Sequence, residues 1–218
     1  LYRWFSIEAI GERMPRLLLV RHGDTDFNQR RRFMGYSDIE MTAFGKKQVE
    51  RLKDYLGGEK IHAVFSSDLQ RTMQTARIIS SGRKLAITAC PELRELNYGE
   101  CEGLTFGEIG ERYPEVAATC VDFSLDLQFP GGEDYRSLIK RERSFVKRLQ
   151  KFTRNETVMI VSHSGPLKVL LCHFLGLPMK YSQRLHLDTA SLSIVYNNAD
   201  YPVLTKLNET SYLKDLKI

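Results

Sequence analysis

Apolar residues follow two rhythms along this chain. Three unbroken aliphatic and β-branched runs, "RLLLV" at 16–20, "HAVFSSD" at 62–68 and "TVMIVSH" at 157–163, are too short for helices and suit strands buried on both faces. Between them the apolar positions recur at helical spacing. In "MTAFGKKQVERLKDYLGG", Val49, Leu52 and Leu56 keep that period, Thr42 is the expected N-cap, and Gly57-Gly58 ends the helix. In "LQRTMQTARIISSG", Leu69, Met73, Ala76 and Ile79 line one face, with Asp68 or Ser67 as the expected cap. A short strand near 86–88 leads into a loop-like stretch, and a helix is expected from about Thr105. "FPGGED" makes a turn ahead of a long amphipathic helix, "GPLKVLLCHFLGLP" forms the next, and a C-terminal hairpin is expected from about Arg184 to Asn208.

Strands alternating with helices, without internal repeats or a Gly/Pro/Ser-rich linker, predict an α/β fold. The expected architecture is a three-layer α/β/α sandwich with a largely parallel central sheet and that C-terminal antiparallel hairpin. At 218 residues the chain suits one domain with a full core, taken here as residues 14–218. Residues 1–13 lack a continuous apolar region, so they are not read as a signal peptide; with Met14 standing just before the first strand, they are expected to be an extension outside the natural fold.

Composition narrows the classes. The hydrophobic fraction of 42% and charged fraction of 27% are ordinary for a globular protein, and no apolar run is long enough to span a bilayer. The net charge of +5 is scattered apart from Arg30-Arg31-Arg32, which reads as a solvated surface, not a nucleic-acid face. Four cysteines show neither CxxC nor zinc-type spacing and are expected to be free thiols of a cytoplasmic protein. No membrane or nucleic-acid partner is expected, and the chain leaves room for a homodimer.

Candidate chemistry gathers at strand exits. In a parallel sheet ligands bind beyond the carboxyl ends of the strands. His22 in "VRHGDTDFN" and His163 in "VSHSG" each follow directly on such a strand, so two distant histidines should meet at one edge. Arg71 in "SSDLQRT" lies in the first helical turn after another strand, and Glu95 in "LRELNYGECEG" lies in a loop. His62, His173 and His186 are taken as structural, with His62 and His186 in strands and His173 on a helix.

These motifs, in this order from about Pro15 to the C-terminal hairpin, make the chain similar to the histidine phosphatase superfamily, in its phosphoglycerate-mutase-like branch. The resemblance implies that His22 is the nucleophile that becomes phosphorylated and Glu95 the general acid and base. It gives Arg21, Arg71 and His163 as partners of the transferring phosphoryl group, with Asn28 and Ser164 as further phosphate or substrate contacts. Such roles suit the chemistry, because phosphoryl transfer is driven by positioning and charge stabilisation, and forked guanidiniums match phosphate oxygens. His22 requires an acceptor for its non-attacking nitrogen, expected in the Gly23 turn; a protonated His163 would add a positive donor. Glu92 competes with Glu95 for the acid's role, but the spacing to "YG" favours Glu95. No metal and no cofactor are implied.

The resemblance further implies a small phosphorylated metabolite as substrate. The stretch between Glu95 and His163 is shorter than in the mutases, which favours hydrolysis over transfer, and "FPGGED" is similar to α-ribazole phosphatases and broad-specificity phosphatases. α-Ribazole 5'-phosphate ranks first, followed by phosphoserine, 3-phosphoglycerate and sugar phosphates. A phosphoglycerate mutase-like phosphotransferase and a non-catalytic phospholigand-binding module are the alternatives. Asp24, Cys101, Asp134 and Ser164 depart from common family residues, and the changes at Cys101 and Asp134 bear on the substrate pocket.

Overall fold

The computed structural model describes residues 14–122, 124–125, 127–198 and 201–216; the expected extension at 1–13 lies outside them. Six strands form one sheet: β1 (Arg16–Arg21), β2 (Ala63–Ser66), β3 (Ile87–Ala89), β4 (Thr157–Ser162), β5 (Leu192–Asn198) and β6 (Tyr201–Glu209), in the order β3-β2-β4-β1-β5-β6. The first four positions in that order pair in parallel, and β5 and β6 are antiparallel, as the alternation of elements predicts. β1 and β4, the two central strands, have four consecutive apolar interior residues each, because both of their faces are covered.

Side chains of alternate strand residues divide the core. Leu17, Leu19, Val158 and Ile160 pack with Phe145 and Leu149 of α6 (Tyr135–Leu149) and with Leu167, Leu170 and Leu171 of α7 (Ser164–Phe174). Leu18, Val20, Met159 and Val161 face the other way, onto α2 (Ala43–Tyr55) and α3 (Gln70–Ser80). That is the expected three-layer sandwich. A satellite cluster joins Leu96 and Phe129 to α6, α7 and two further helices, α4 (Phe106–Arg112) and α5 (Pro114–Asp122).

Several local expectations hold for the reasons given. The Thr42 hydroxyl accepts from Gly45 N at 3.0 Å, and Thr105 forms a reciprocal capping box with Glu108. Asp134 accepts from Ser137 N at 2.7 Å and so caps α6, and Cys101 is fully buried in the satellite cluster. Others need correction. The N-cap of α3 is Leu69, with no side-chain capping bond; Asp68 is held instead by Arg94 at 2.6 Å. The hairpin starts at Leu192, not near Arg184, because 179–184 closes into a 3₁₀ turn after Pro178. His186 therefore lies outside any strand, exposed and 2.8 Å from Asp188.

α6 also carries an exception to its own pattern. Glu142 occupies a core position between Leu138 and Phe145, is 1% exposed, and neither carboxyl oxygen has a partner among the described residues. Burial raises its pKa well above the usual glutamate value. The folded state thus binds a proton that the unfolded chain releases, so stability is greatest below the ordinary glutamate pKa and declines as pH rises towards the folded one. Glu142→Leu removes an unpaired buried polar group at similar volume. We expect it to add about 2 kcal/mol at neutral pH, a rise of roughly 4–8 °C in Tm, and to flatten the dependence on pH. A melting series across pH 4 to 8 checks this, and an unchanged or lower Tm at neutral pH would contradict it.

Candidate active site

The parallel register of β1 and β4 pairs Arg21 with Ser162, and the next residue of each strand is a histidine. His22 N donates to Ser162 O at 3.1 Å, and the two imidazoles stand edge to face with centroids 5.2 Å apart. Both are buried, at 1% and 0% exposure. The distant pair expected at one sheet edge is there.

Hydrogen bonding fixes the tautomer of each ring. His22 Nδ1 lies 2.8 Å from Gly23 O, which can only accept, so Nδ1 carries the proton and the Nε2 lone pair is free. Gly23 is required there because a Cβ would lie 2.6 Å from Gly45 O of α2. His163 is the opposite. Arg71 Nε donates to its Nδ1 at 3.2 Å, which leaves the proton on Nε2, 2.9 Å from Ser67 Oγ. Burial first, then the field of Arg71, holds both histidines well below the usual pKa of 6.5. Both rings are neutral in this structure, because a second cation buried against Arg71 is unfavourable.

The two arginines are held differently. Arg71, 0% exposed, donates from its remaining nitrogens to Ser37 O and Gly35 O, each at 2.8 Å. Burial lowers its pKa to about 10, which still leaves it charged at neutral pH. Arg21 Nη1 donates to Leu187 O at 2.6 Å, while its buried Nε has no partner among the described residues. Asn28 Oδ1 closes the capping box of α1 (Asp26–Gln29) with Thr25, and its amide nitrogen has no partner among the described residues. Ser164 is the first residue of α7, half-buried at the helix N-terminus.

Glu95, 6% exposed, accepts from its neighbour Leu96 N at 2.9 Å and from Gly165 N in the first turn of α7 at 3.1 Å. A Cβ at position 165 would lie 2.2 Å from Glu95 Oε1, so glycine allows the carboxylate to close on the helix. The charge of Glu95 works against burial at both Arg21 and Arg71, favouring their charged forms. Glu92 points elsewhere, pairing with Arg148 at 2.5 Å. Of the arginine triplet, Arg32 bonds Gly103 O and Glu108, and Arg30 pairs with Asp26.

Some residues near this edge have no marker in the sequence. Ser67 Oγ lies 2.9 Å from His163 Nε2, a role no local pattern gives it, and Thr75 Oγ1 accepts from Gly23 N at 3.1 Å. Lys168 lies one turn beyond Gly165, half-buried on α7, its pKa lowered by burial against the opposing pull of Glu95. Tyr98 stands near the same carboxylate, with burial raising its pKa well above 10.0.

The arrangement is a neutral, oriented imidazole lone pair beside one buried guanidinium, Arg71, one half-buried guanidinium, Arg21, and a carboxylate. A family model for the histidine phosphatase superfamily (branch 1) matches residues 17–210. The chain belongs to that superfamily. Its sequence is 31% identical over 205 residues to phosphoserine phosphatase 1 of Hydrogenobacter thermophilus, covering 94% of this chain and 97% of that one. It is 29% identical to the adenosylcobalamin/alpha-ribazole phosphatase of Escherichia coli, over 88% of this chain and 95% of that protein. In structure it resembles a putative alpha-ribazole-5'-P phosphatase from Escherichia coli with a TM-score of 0.84 at 27% identity, over 90% of this chain and 97% of that chain. No group of His, Cys, Asp or Glu among the described residues is arranged to hold a metal ion, and no described helix is long and apolar enough to cross a membrane.

Proposed function

We propose that this phosphatase hydrolyses a small phosphorylated metabolite, without metal, through a phosphohistidine at His22. The observation that carries the reading is the bond from His22 Nδ1 to Gly23 O, which leaves Nε2 as a buried, neutral nucleophile within the field of Arg71 and Arg21. Nε2 attacks phosphorus in line with the ester oxygen. The Arg21 and Arg71 guanidiniums balance the charge that spreads over the equatorial oxygens, with Asn28, Ser164 and the N-terminus of α7 adding neutral donors. For His163 to donate to the phosphoryl group, its Nε2–H turns from Ser67 Oγ to a phosphate oxygen, and the incoming negative charge favours its protonation. Glu95 protonates the leaving alkoxide; it then takes a proton from the water that attacks the phosphohistidine, releasing phosphate and restoring His22.

The substrate reading rests on likeness. α-Ribazole 5'-phosphate is placed first, since the Escherichia coli relatives named for it match in both sequence and fold, and phosphoserine second. Phosphate release from a panel of α-ribazole 5'-phosphate, phosphoserine, 3-phosphoglycerate and an aryl phosphate, with EDTA present, tests both parts. The expected outcome is turnover indifferent to the chelator, with one substrate at least about tenfold ahead in kcat/KM. Activity that EDTA removes and added metal restores would overturn the metal-free mechanism. Equal, slow turnover of all four would overturn the named substrates, and no turnover would favour a binding module.

A further inference from the structure

The loop that carries Glu95 has no regular secondary structure from Arg94 to Tyr98, yet its carboxylate must meet a leaving oxygen within hydrogen-bond reach. One side chain of α6 holds this loop. Arg141 Nη1 donates to Glu92 O at 2.7 Å and to Arg94 O at 2.6 Å, and Nη2 donates to Glu95 O at 2.7 Å. Its Nε and Nη2 also donate to the two carboxylate oxygens of Glu133, each at 3.1 Å. All five N–H groups of the guanidinium are therefore engaged, three of them on backbone carbonyls at or just before Glu95. Glu133 completes the clamp from the other side: its Oε2 accepts from Asn97 N at 3.0 Å, and its own N donates to Asn97 O at 2.8 Å. The pair is largely shielded from water, at 15% and 19% side-chain exposure, so these bonds face little competition from solvent.

We propose that Arg141, with Glu133, is the positioning residue that sets the general acid. It does not touch the reacting atoms; it fixes the backbone on either side of Glu95 so that the carboxylate meets the leaving oxygen. The inference rests on the reading of Glu95 as acid, and the leaving group separates the two. An alkyl phosphate releases a basic alkoxide that needs a proton in the transition state, whereas an aryl phosphate such as p-nitrophenyl phosphate releases a stable phenolate that does not. A displaced acid therefore penalises alkyl substrates selectively. The comparison is made in kcat/KM, which reports the phosphorylation half-reaction and is blind to the hydrolysis of phosphohistidine common to both substrates.

The experiment measures kcat/KM for phosphoserine and p-nitrophenyl phosphate in the wild type, Glu95→Gln, Arg141→Ala and Arg141→Lys. Glu95→Gln is the control for the reading beneath: it should lose roughly 10²–10⁴-fold on the alkyl ester and far less on the aryl ester. Equal losses there would sink the role of Glu95 itself. With that control satisfied, Arg141→Ala is expected to lose roughly 10²-fold on the alkyl ester and no more than about threefold on the aryl ester. Arg141→Lys keeps a charge but not the fork, and should show the same skew in smaller degree. If Arg141→Ala does not fold, Arg141→Lys decides. A general loss equal for both esters, or no loss, overturns the proposal, because a merely structural arginine would not sense the basicity of the leaving group.

Discussion

Replacing His22 by alanine is expected to lower turnover of every phosphomonoester by at least about 10⁴-fold while inorganic phosphate still binds. The nucleophile disappears, but the unpartnered Arg21 Nε and the Arg71 guanidinium remain to hold an anion. Isothermal titration with phosphate, beside the assay, separates lost chemistry from lost binding. In the wild type, a rapid alkaline quench during turnover should trap phosphate on His22, which intact-mass analysis reads directly. Turnover within tenfold of wild type would dismiss His22 as nucleophile. The same variant carries a stability signature. His22 and His163 titrate well below 6.5 in the folded protein, so the unfolded chain takes up their protons first. Their contribution is fully present above the usual histidine pKa and is lost as pH falls through it towards the folded values. Removing one of the two should lessen the fall in Tm between neutral and mildly acid pH.

Arg71→Met should be costly in both respects. With the guanidinium gone, the transferring group loses a buried cation, an effect expected at roughly 10³-fold or more in kcat/KM. The carbonyls of Gly35 and Ser37 are left without their donor, at about 1–3 kcal/mol each where water does not replace it. His163 loses both the donor to Nδ1 and the charge that depresses it, so its pKa should move back up, visible by NMR titration of the imidazole. A variant that melts lower yet turns over within tenfold of wild type would make Arg71 a structural residue only.

How far these features were legible in the sequence depends on the range of the forces that produce them. The strand exits at His22 and His163 could be read because double-sided burial forces an unbroken apolar run, and a parallel sheet brings such ends to one edge. The Thr42 cap could be read because capping is local. The Leu69 cap could not, since Asp68 chose Arg94 over the helix, a choice made across the fold. The neutral His163 could not be read for the same reason: nothing near it in sequence reveals that Arg71 donates to its Nδ1. Arg141 sits in "LIKRERSF", where a run of charges looks like a solvated face, and its length lets it reach a loop that periodicity cannot locate. Glu142 did leave a trace. It interrupts the apolar stripe of Leu138, Phe145 and Leu149, a glutamate where the period calls for a hydrocarbon.

The sheet order has a consequence for the chain as it is being made. β1 comes first of the six strands but sits between β4 and β5, so its apolar residues have no neighbouring strand until those later segments exist. At roughly 5–20 residues per second, the ribosome takes on the order of ten seconds to reach β4 after finishing β1. Throughout that interval a sticky segment rides on the nascent chain, and His22 cannot take the bond to Ser162 O that seats it. Even then its carbonyl awaits Ala190 N at 2.9 Å, and Ala190 O awaits the hydroxyl of Tyr212 at 2.6 Å. Within this domain the nucleophile is made well before the segments that seat it, so the site is completed only when β4, Ala190 and Tyr212 have all emerged.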